Sequence, residues 1–170
     1  MSLARILELD ARLSTRMRVA ERPGLFRNLC SFFAHSGDSW FWWSGLALLC
    51  WQGNHFWRPW ALTVLLAIVG LAVLVLAIKF TIRRRRPEGE WGALYRTTDP
   101  HSFPSGHAAR AVLIAMLAIG LGPAWLAILL CVWAPLVALA RVAMGVHYLS
   151  DVVAGGVLGV IGGIIVLQIR

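Results

Sequence analysis

Residues 57 to 78 read WRPWALTVLLAIVGLAVLVLAI, an apolar run whose one charged residue lies near its start. A helix needs roughly 17–25 such residues to cross a bilayer. Similar runs lie near residues 39–52, 108–122, 124–140 and 148–168. The chain is 59% hydrophobic with a mean hydropathy of +0.71, whereas soluble proteins are roughly 45–50% apolar. We therefore expect an all-α, polytopic membrane bundle with five transmembrane helices.

The N-terminal segment, residues 3–20, combines an apolar stripe at helical spacing with arginines that lie mostly opposite. This pattern predicts an amphipathic helix in the plane of the membrane interface. Asp10 falls within the stripe, and we expect it to pair with a nearby arginine. Because there is no internal repeat and no long linker, the sequence predicts a single domain, with an interfacial segment over 1–37 and a transmembrane core over 38–170.

The segment AHSGDSW, residues 34–40, interrupts the chain before the first apolar run. Ser36 or Asp38 can cap the following helix by accepting hydrogen bonds from its free N–H groups. We therefore expect a capping role for Asp38. His35 is interpreted as a polar residue at the membrane interface.

Positive charge is concentrated on one side of the predicted topology. The chain has 16 lysines and arginines and a net charge of +8. Alternating the five spans places all of them on one side except Arg58 and Arg170, and the positive-inside rule makes the richer side cytoplasmic. We expect an integral protein of the bacterial inner membrane, with membrane lipids and no nucleic acid as partners.

Three helix ends on this cytoplasmic side carry ionisable residues. The second span ends in KFTIRRRRP (79–87), the third begins at PSGHAAR (104–110), and ARVAMGVHYLSD (140–151) joins the fourth to the fifth. Ionisable groups beside membrane spans are costly and usually mark a functional site. The three segments therefore predict one polar site at the cytoplasmic face.

Two of these helix ends carry groups that can hold an anion. Lys79, the chain's only lysine, and Arg86 lie two helical turns apart and point the same way. The arginines between them, residues 83–85, are interpreted as a basic membrane anchor. Ser105 is a natural N-cap, and the free N–H groups after it, around His107, form an anion site.

The third helix end pairs a histidine with a carboxylate. Gly145 breaks the helix after Arg141, and His147 and Asp151 then stand four residues apart on one face of the next helix. A carboxylate at this spacing can accept the proton of one imidazole nitrogen. The other nitrogen is then left as a nucleophile or a base.

Together these groups suit phosphoryl transfer, in which the protein positions the reactants and stabilises charge on the phosphoryl oxygens. The two histidines divide into a nucleophile and an acid. The sequence places no acidic cluster for Mg²⁺ near the site and no further His or Cys for zinc. We therefore predict that the site uses no metal and no cofactor.

The three segments resemble, in order and spacing, the signature motifs of the type 2 phosphatidic acid phosphatase superfamily. They match as Lys, six residues, Arg-Pro; then Pro-Ser-Gly-His; then Arg, five residues, His, three residues, Asp. The third motif begins Ala140-Arg141 where the family commonly has Ser-Arg. Membrane members of the family usually have six spans, one more than the sequence predicts here.

The resemblance implies a metal-independent phosphatase that forms a phosphohistidine. In that mechanism His147 attacks phosphorus, Asp151 orients its ring, and His107 protonates the leaving oxygen and later activates water. The residues implied to hold the phosphoryl oxygens are Lys79, Arg86, Arg141, Ser105 and Gly106. Gly106 would do so through its backbone amide.

The implied substrate is a phosphate or diphosphate carried on a lipid, because the site lies at the mouth of a membrane bundle. The candidates are isoprenoid phosphates and diphosphates such as undecaprenyl diphosphate, phosphatidate and phosphatidylglycerophosphate. Between the first two motifs, Tyr95, Arg96 and His101 are candidate headgroup contacts. The alternatives are a non-catalytic membrane-binding module of the same fold, a vanadium haloperoxidase, and a transporter or channel.

Overall fold

The computed structural model describes residues 2–89, 91, 92, 95 and 99–170, with Leu3 described by its backbone alone. Within these residues the chain is all-helical, and its β pairing is an isolated bridge between Arg85 and His101. The helices are α1 (Leu3–Arg16), α2 (Leu25–Ser36), α3 (Ser39–Gln52), α4 (Trp57–Ile82), α5 (Gly106–Leu121), α6 (Ala124–Ala143) and α7 (Leu149–Ile169).

Three of the described helices, α4, α6 and α7, are long and apolar enough to cross a membrane. Helix α5 is also apolar but has 16 residues. Outward-facing side chains such as Leu66, Val73 and Ile165 are more than half exposed, as expected for helices surrounded by lipid. The five predicted apolar runs coincide with α3 to α7, so the helical prediction for each run is confirmed.

The hydrophobic core lies between α4, α5 and α6, where Ile68, Leu113, Ile114 and Val137 are at most 1% exposed. Successive helices in this core run in opposite directions. The C-terminal end of α4 therefore lies beside the N-terminal end of α5 and the C-terminal end of α6. All three predicted motifs lie at this common end.

Helix α7 packs against α5 through small residues spaced four apart. Cβ atoms built on Gly155 and Gly159 would collide with the carbonyl oxygens of Ser105 and Ala109. Glycine at such spacing lets two helix backbones approach closely. The packing brings the first turns of α5 and α7 together, and the Ser105 N–H donates to the Asp151 carbonyl at 2.9 Å.

Helix α1 presents its polar side to the protein. Its large apolar side chains point outward, with exposures of 44–47% at Ile6, Leu9 and Leu13. Ser14 Oγ accepts a hydrogen bond from the Leu149 N–H at 2.8 Å, and Asp10 Oδ1 accepts one from the Ser150 N–H at 2.9 Å. The prediction of an N-terminal helix is confirmed, but Asp10 lies on its buried polar side and not on its apolar stripe.

Candidate functional site

The predicted site residues all lie at the same end of the bundle. They come from the C-terminal end of α4 and the segment after it, the first turn of α5, the last turn of α6, and the α6–α7 connection with the start of α7. The prediction that Lys79 and Arg86 lie two turns apart on one helix is wrong, because α4 ends at Ile82 and the left-handed backbone of Arg83 turns the chain before Arg86. Burial of ionisable groups is costly unless they are paired or functional. The predicted site residues that are at most 4% exposed are Lys79, Arg86, Ser105, Arg141, His147 and Asp151, all of them ionisable except Ser105.

His147 is 1% exposed and lies in the connection between α6 and α7. The prediction that it shares a helix with Asp151 is wrong, because the turn at Gly145 continues past His147 and α7 begins at Leu149. Arg86 Nη1 donates to His147 Nε2 at 3.1 Å, which places the ring proton on Nδ1 because arginine only donates. Nδ1 lies 3.5 Å from Asp151 Oδ2, a close contact but longer than a hydrogen bond between these atoms. Burial, together with the charges of Arg141, Arg86 and Lys79, lowers the pKa of His147 well below 6.5. The ring is therefore neutral, with a lone pair on Nε2.

Three cations surround His147. Lys79 Nζ donates to Asp99 Oδ2 and, at 2.9 Å, to the His101 carbonyl. Arg86 Nη2 donates to the same Asp99 oxygen at 2.7 Å. Arg141 is fully buried, and its Nε and Nη2 have no hydrogen-bond partner among the described residues. These buried N–H groups are donors that phosphoryl oxygens can use.

Asp99 is a site residue that the sequence analysis missed. Its carboxylate binds both Lys79 and Arg86, and its own carbonyl accepts from Arg86 Nε at 2.6 Å. It occupies the position between two cations at which the motifs imply a phosphate. The signal that could have found it is an acidic residue in the short segment that joins two cationic motifs.

The predicted headgroup residues have different outcomes. Tyr95 lies in the site itself, because its hydroxyl accepts from Arg141 Nη1 at 3.2 Å and its ring centroid lies 4.6 Å from Arg141 Cζ. His101 contributes its backbone carbonyl to Lys79. Arg96 lies outside the described residues.

His107 pairs with a carboxylate from the α2–α3 turn. Its Nε2 lies 2.7 Å from Asp38 Oδ1, and Asp38 Oδ2 lies 3.1 Å from His35 Nδ1. Burial favours the neutral carboxyl, but the hydrogen bonds and charges of the two histidines outweigh it and lower the pKa of Asp38 to about 2. The predicted capping role of Asp38 is wrong: it stands at the N-cap of α3 but its side chain makes no capping hydrogen bond, since the histidines take both oxygens.

Ser105 and Gly106 begin helix α5. Ser105 Oγ accepts from the Ala108 N–H at 3.4 Å, so its predicted N-cap position is confirmed. A Cβ built on Gly106 would lie 3.6 Å from Val75 Cγ1, an ordinary packing distance. Glycine is thus not required here by contacts within the chain, and its predicted use is the approach of a ligand to the backbone.

Arg84 departs from the anchor interpretation of residues 83–85. Its Nη1 donates to Asp151 Oδ1 and its Nη2 to Asp10 Oδ2, both at 2.7 Å. The guanidinium also stacks on the Tyr148 ring, 3.9 Å from the centroid. Asp10 therefore has the arginine partner that was predicted for it. No local signal distinguishes Arg84 from its neighbours, because four arginines are consecutive.

Two cavities meet the site from different sides. The first, about 260 Å³, is lined by Lys79, Asp99, Gly106, His107, Arg110 and His147 together with apolar residues of α3 and α4. The second, about 1230 Å³, is polar and is lined by residues that include Arg18, Arg83, Arg85, Arg86 and His101. Among the described residues, no group of three or more His, Cys, Asp or Glu side chains could hold a metal ion.

Comparisons with known proteins identify the relatives of this chain. The PAP2 superfamily model matches residues 58–170. The chain is 34% identical over 161 residues to a decaprenylphosphoryl-5-phosphoribose phosphatase of Mycobacterium tuberculosis, covering 94% of this chain and 88% of that protein.

Two solved structures have a similar fold. The first, a transmembrane PAP2-type phosphatidylglycerolphosphate phosphatase of Bacillus subtilis, has a TM-score of 0.78 and 25% identity, and the match covers 99% of this chain and 87% of that one. The second, Aquifex aeolicus LpxE, has a TM-score of 0.72 and 27% identity over 91% of this chain and 93% of that one. Together with the three long apolar helices, these similarities identify an integral membrane protein.

Proposed function

Because the chain belongs to the PAP2 superfamily, we propose that it is a membrane phosphatase that removes the terminal phosphate from a lipid phosphate or diphosphate through a phosphohistidine. The observation that carries this proposal is the state of His147. It is a buried, neutral imidazole surrounded by Lys79, Arg86 and Arg141, and it shares a cavity with His107. A nucleophile, an acid and three cations are the parts that phosphoryl transfer requires.

In the first step His147 Nε2 attacks phosphorus, and the bond from phosphorus to the leaving oxygen breaks. The leaving oxygen takes a proton from His107. Asp151 stabilises the charge that develops on the His147 ring. The groups that hold the three remaining phosphoryl oxygens are Lys79, Arg86, Arg141, Ser105 and the Gly106 amide.

In the second step His107, now neutral, takes a proton from water. The resulting hydroxide attacks the phosphohistidine, and the bond between phosphorus and Nε2 breaks. Phosphate leaves, and both histidines return to their starting states. Because the cations neutralise the phosphoryl charge, the reaction proceeds without a metal or another cofactor.

The substrate class follows from the walls of the smaller cavity. Its polar end holds His147 and Lys79, whereas its other residues include Trp43, Leu71 and Leu76 from α3 and α4. An apolar wall beside a phosphate site suits a phosphate carried on a lipid chain. The name of the mycobacterial relative makes a polyprenyl-linked sugar phosphate one of the first compounds to test, beside isoprenoid diphosphates, phosphatidate and phosphatidylglycerophosphate.

The topology follows from helix length and charge. Helix α3, with 14 residues, spans ~21 Å at ~1.5 Å per residue, and its highly exposed Trp40 and Trp51 suit anchoring at two interfaces. With α3 and α5 counted beside the three long helices, the chain crosses the membrane five times. The arginine-rich end, which carries the site, then faces the cytoplasm of a bacterial cell.

The test is phosphate release by the detergent-purified protein from a panel of lipid phosphates and diphosphates in EDTA. We expect metal-independent release that His147→Ala lowers by more than about 10³-fold, because His147 is the proposed nucleophile that forms the covalent intermediate. His55→Ala is the matched control, since His55 is exposed at the opposite end of the bundle.

Two results would contradict the proposal. Undiminished turnover by His147→Ala would exclude a phosphohistidine intermediate at His147. Loss of activity in EDTA would exclude a metal-independent mechanism. Binding of a lipid phosphate without any turnover by the folded wild-type protein would instead indicate the non-catalytic module.

A further inference from the structure

We infer that Asp38 is a positioning residue for the acid–base steps: it holds Nε2 of His107 and so leaves Nδ1 to exchange the proton with the leaving group and with water. This inference rests on the proposed function. The signature motifs do not include Asp38, which lies 41 residues before Lys79, the first residue of the first motif.

The orientation of the His107 ring supports this division between its nitrogens. Nε2 lies 2.7 Å from Asp38 Oδ1, and the neighbouring ring carbon Cδ2 lies 3.3 Å from the Cβ position of Gly37. The edge of the ring formed by Nε2 and Cδ2 therefore faces the α2–α3 turn. Nδ1 lies across the ring from that edge, and His107 lines the cavity that also contains His147.

The turn that carries Asp38 is held by the helix that carries His107. Arg110 lies three residues after His107 on α5, and its Nε donates to the Gly37 carbonyl at 3.0 Å while its Nη1 donates to Ser39 Oγ at 2.7 Å. A side chain at Gly37 would meet Val137 Cγ1 at 2.9 Å. The guanidinium and the small residue thus keep the turn, and its carboxylate, against the histidine.

Two indole groups fix the same turn from other directions. Trp42 Nε1 donates to the Ser36 carbonyl at 3.0 Å, and Trp133 Nε1 donates to Ser36 Oγ at 2.8 Å. His35 Nδ1 donates to the second oxygen of Asp38 at 3.1 Å. With Oδ2 held in this way, Oδ1 remains directed at His107.

The negative charge of Asp38 favours protonation of His107. A buried imidazole resists protonation unless an opposite charge lies close to it. The carboxylate of Asp38, 2.7 Å from His107 Nε2, is such a charge. It makes the protonated form accessible when the leaving group needs a proton.

The first experiment compares Asp38→Asn with the wild type on two leaving groups. A lipid monophosphate releases an alkoxide, which needs the proton, whereas an isoprenoid diphosphate releases a phosphate monoester, which needs it far less. We expect kcat to fall at least about tenfold on the monophosphate and less than about threefold on the diphosphate, with KM changed little. Glu8→Gln, an equal charge change at an exposed residue of α1, is the control.

A double-mutant cycle separates positioning from folding. Asp38→Asn should add almost nothing to the loss caused by His107→Gln, because both changes disable the same proton transfer. Equal losses on the two substrates, or losses that multiply in the double variant, would overturn the inference and assign Asp38 a structural role.

Nitrogen NMR of histidine-labelled protein tests the geometry without turnover. The chain has five histidines, and the His107→Gln variant assigns the relevant signals. At a pH at which His107 is neutral, we expect its proton on Nε2 in the wild type and redistributed between the two nitrogens in Asp38→Asn. If the wild type releases no phosphate but shows this tautomer, the proposed function fails while the pairing stands; an Nδ1–H tautomer would overturn the pairing itself.

Discussion

At the scale of single residues, the carboxylate of Asp99 and the phosphoryl group of a substrate are two anions that would use the same cations. Lys79 and Arg86 both bind the carboxylate of Asp99, which is 40% exposed on its side chain. A phosphoryl group entering the site carries the same kind of oxygen to the same donors. If Lys79 and Arg86 hold phosphoryl oxygens as proposed, Asp99 must give up at least part of these contacts when the substrate binds, and we expect it to lower the affinity of the site for anions.

Asp99→Asn tests this competition. Removing the negative charge should tighten inhibition by vanadate, which resembles the five-coordinate phosphorus of the transition state, by about tenfold, the equivalent of ~1.4 kcal/mol. The measurement is the inhibition constant of the purified protein, with Glu88→Gln, an exposed acidic residue near the same helix end, as the control. Weaker inhibition in Asp99→Asn would mean that Asp99 orders the cations and does not compete for them.

At the scale of helices, α1 completes the N-terminus of α7. The first N–H groups of a helix have no partner within the helix, and here Ser14 and Asp10 accept those of Leu149 and Ser150. Asp10 also binds Arg84, which in turn binds Asp151. A helix that the sequence predicts to lie in the membrane interface is thus connected to the carboxylate beside His147.

Asp10→Ala should therefore affect both stability and activity. The substitution removes the acceptor of the partly buried Ser150 N–H and one acceptor of Arg84, a cost of about 1–3 kcal/mol. We expect a lower Tm in detergent, faster proteolysis within residues 1–20, and reduced kcat. Glu8→Ala, on the exposed side of α1, should leave all three close to wild type, and equal behaviour of the two variants would show that α1 is not coupled to the site.

At the scale of the whole molecule, the contact between α5 and α7 assembles the site. His107 lies on the first of these helices, and Asp151 lies on the second with His147 just before it. Gly155 and Gly159 allow the two backbones to touch. Their spacing therefore controls the distance between the proposed acid and the proposed nucleophile.

Two glycines on α7 provide a matched pair of variants. A Cβ on Gly159 would lie 2.8 Å from Val112 Cβ, besides its collision with the Ala109 carbonyl, whereas a Cβ on Gly156 meets nothing closer than 3.9 Å. Gly159→Ala should destabilise the protein by about 1–3 kcal/mol and lower kcat. Gly156→Ala should be neutral or stabilising by about 0.4–1 kcal/mol. Thermal unfolding and phosphate release measure both, and an equal response would exclude helix spacing as the cause.

The sequence by itself determined the parts that depend on neighbours along the chain. Apolar runs identified α3 to α7 because helix formation in a membrane follows local hydrophobicity, and Ser105 was recognised as an N-cap because its hydrogen bond reaches only three residues. The four-residue separation of His147 and Asp151 likewise brings their side chains within 3.5 Å, although His147 lies in the α6–α7 connection and not on the helix. The motif order also sufficed to place the chain in its family.

Only the tertiary structure decided which distant groups each charged side chain meets. Asp38 looked like a helix cap and Arg84 like a membrane anchor, yet their partners His107 and Asp151 lie 69 and 67 residues away. Asp99 offered only its position between two motifs, which does not show which cations it meets. A buried charge takes whichever opposite charge the packing brings near it, because leaving it unpaired costs more than a local hydrogen bond supplies, and that partner is set by how the helices pack.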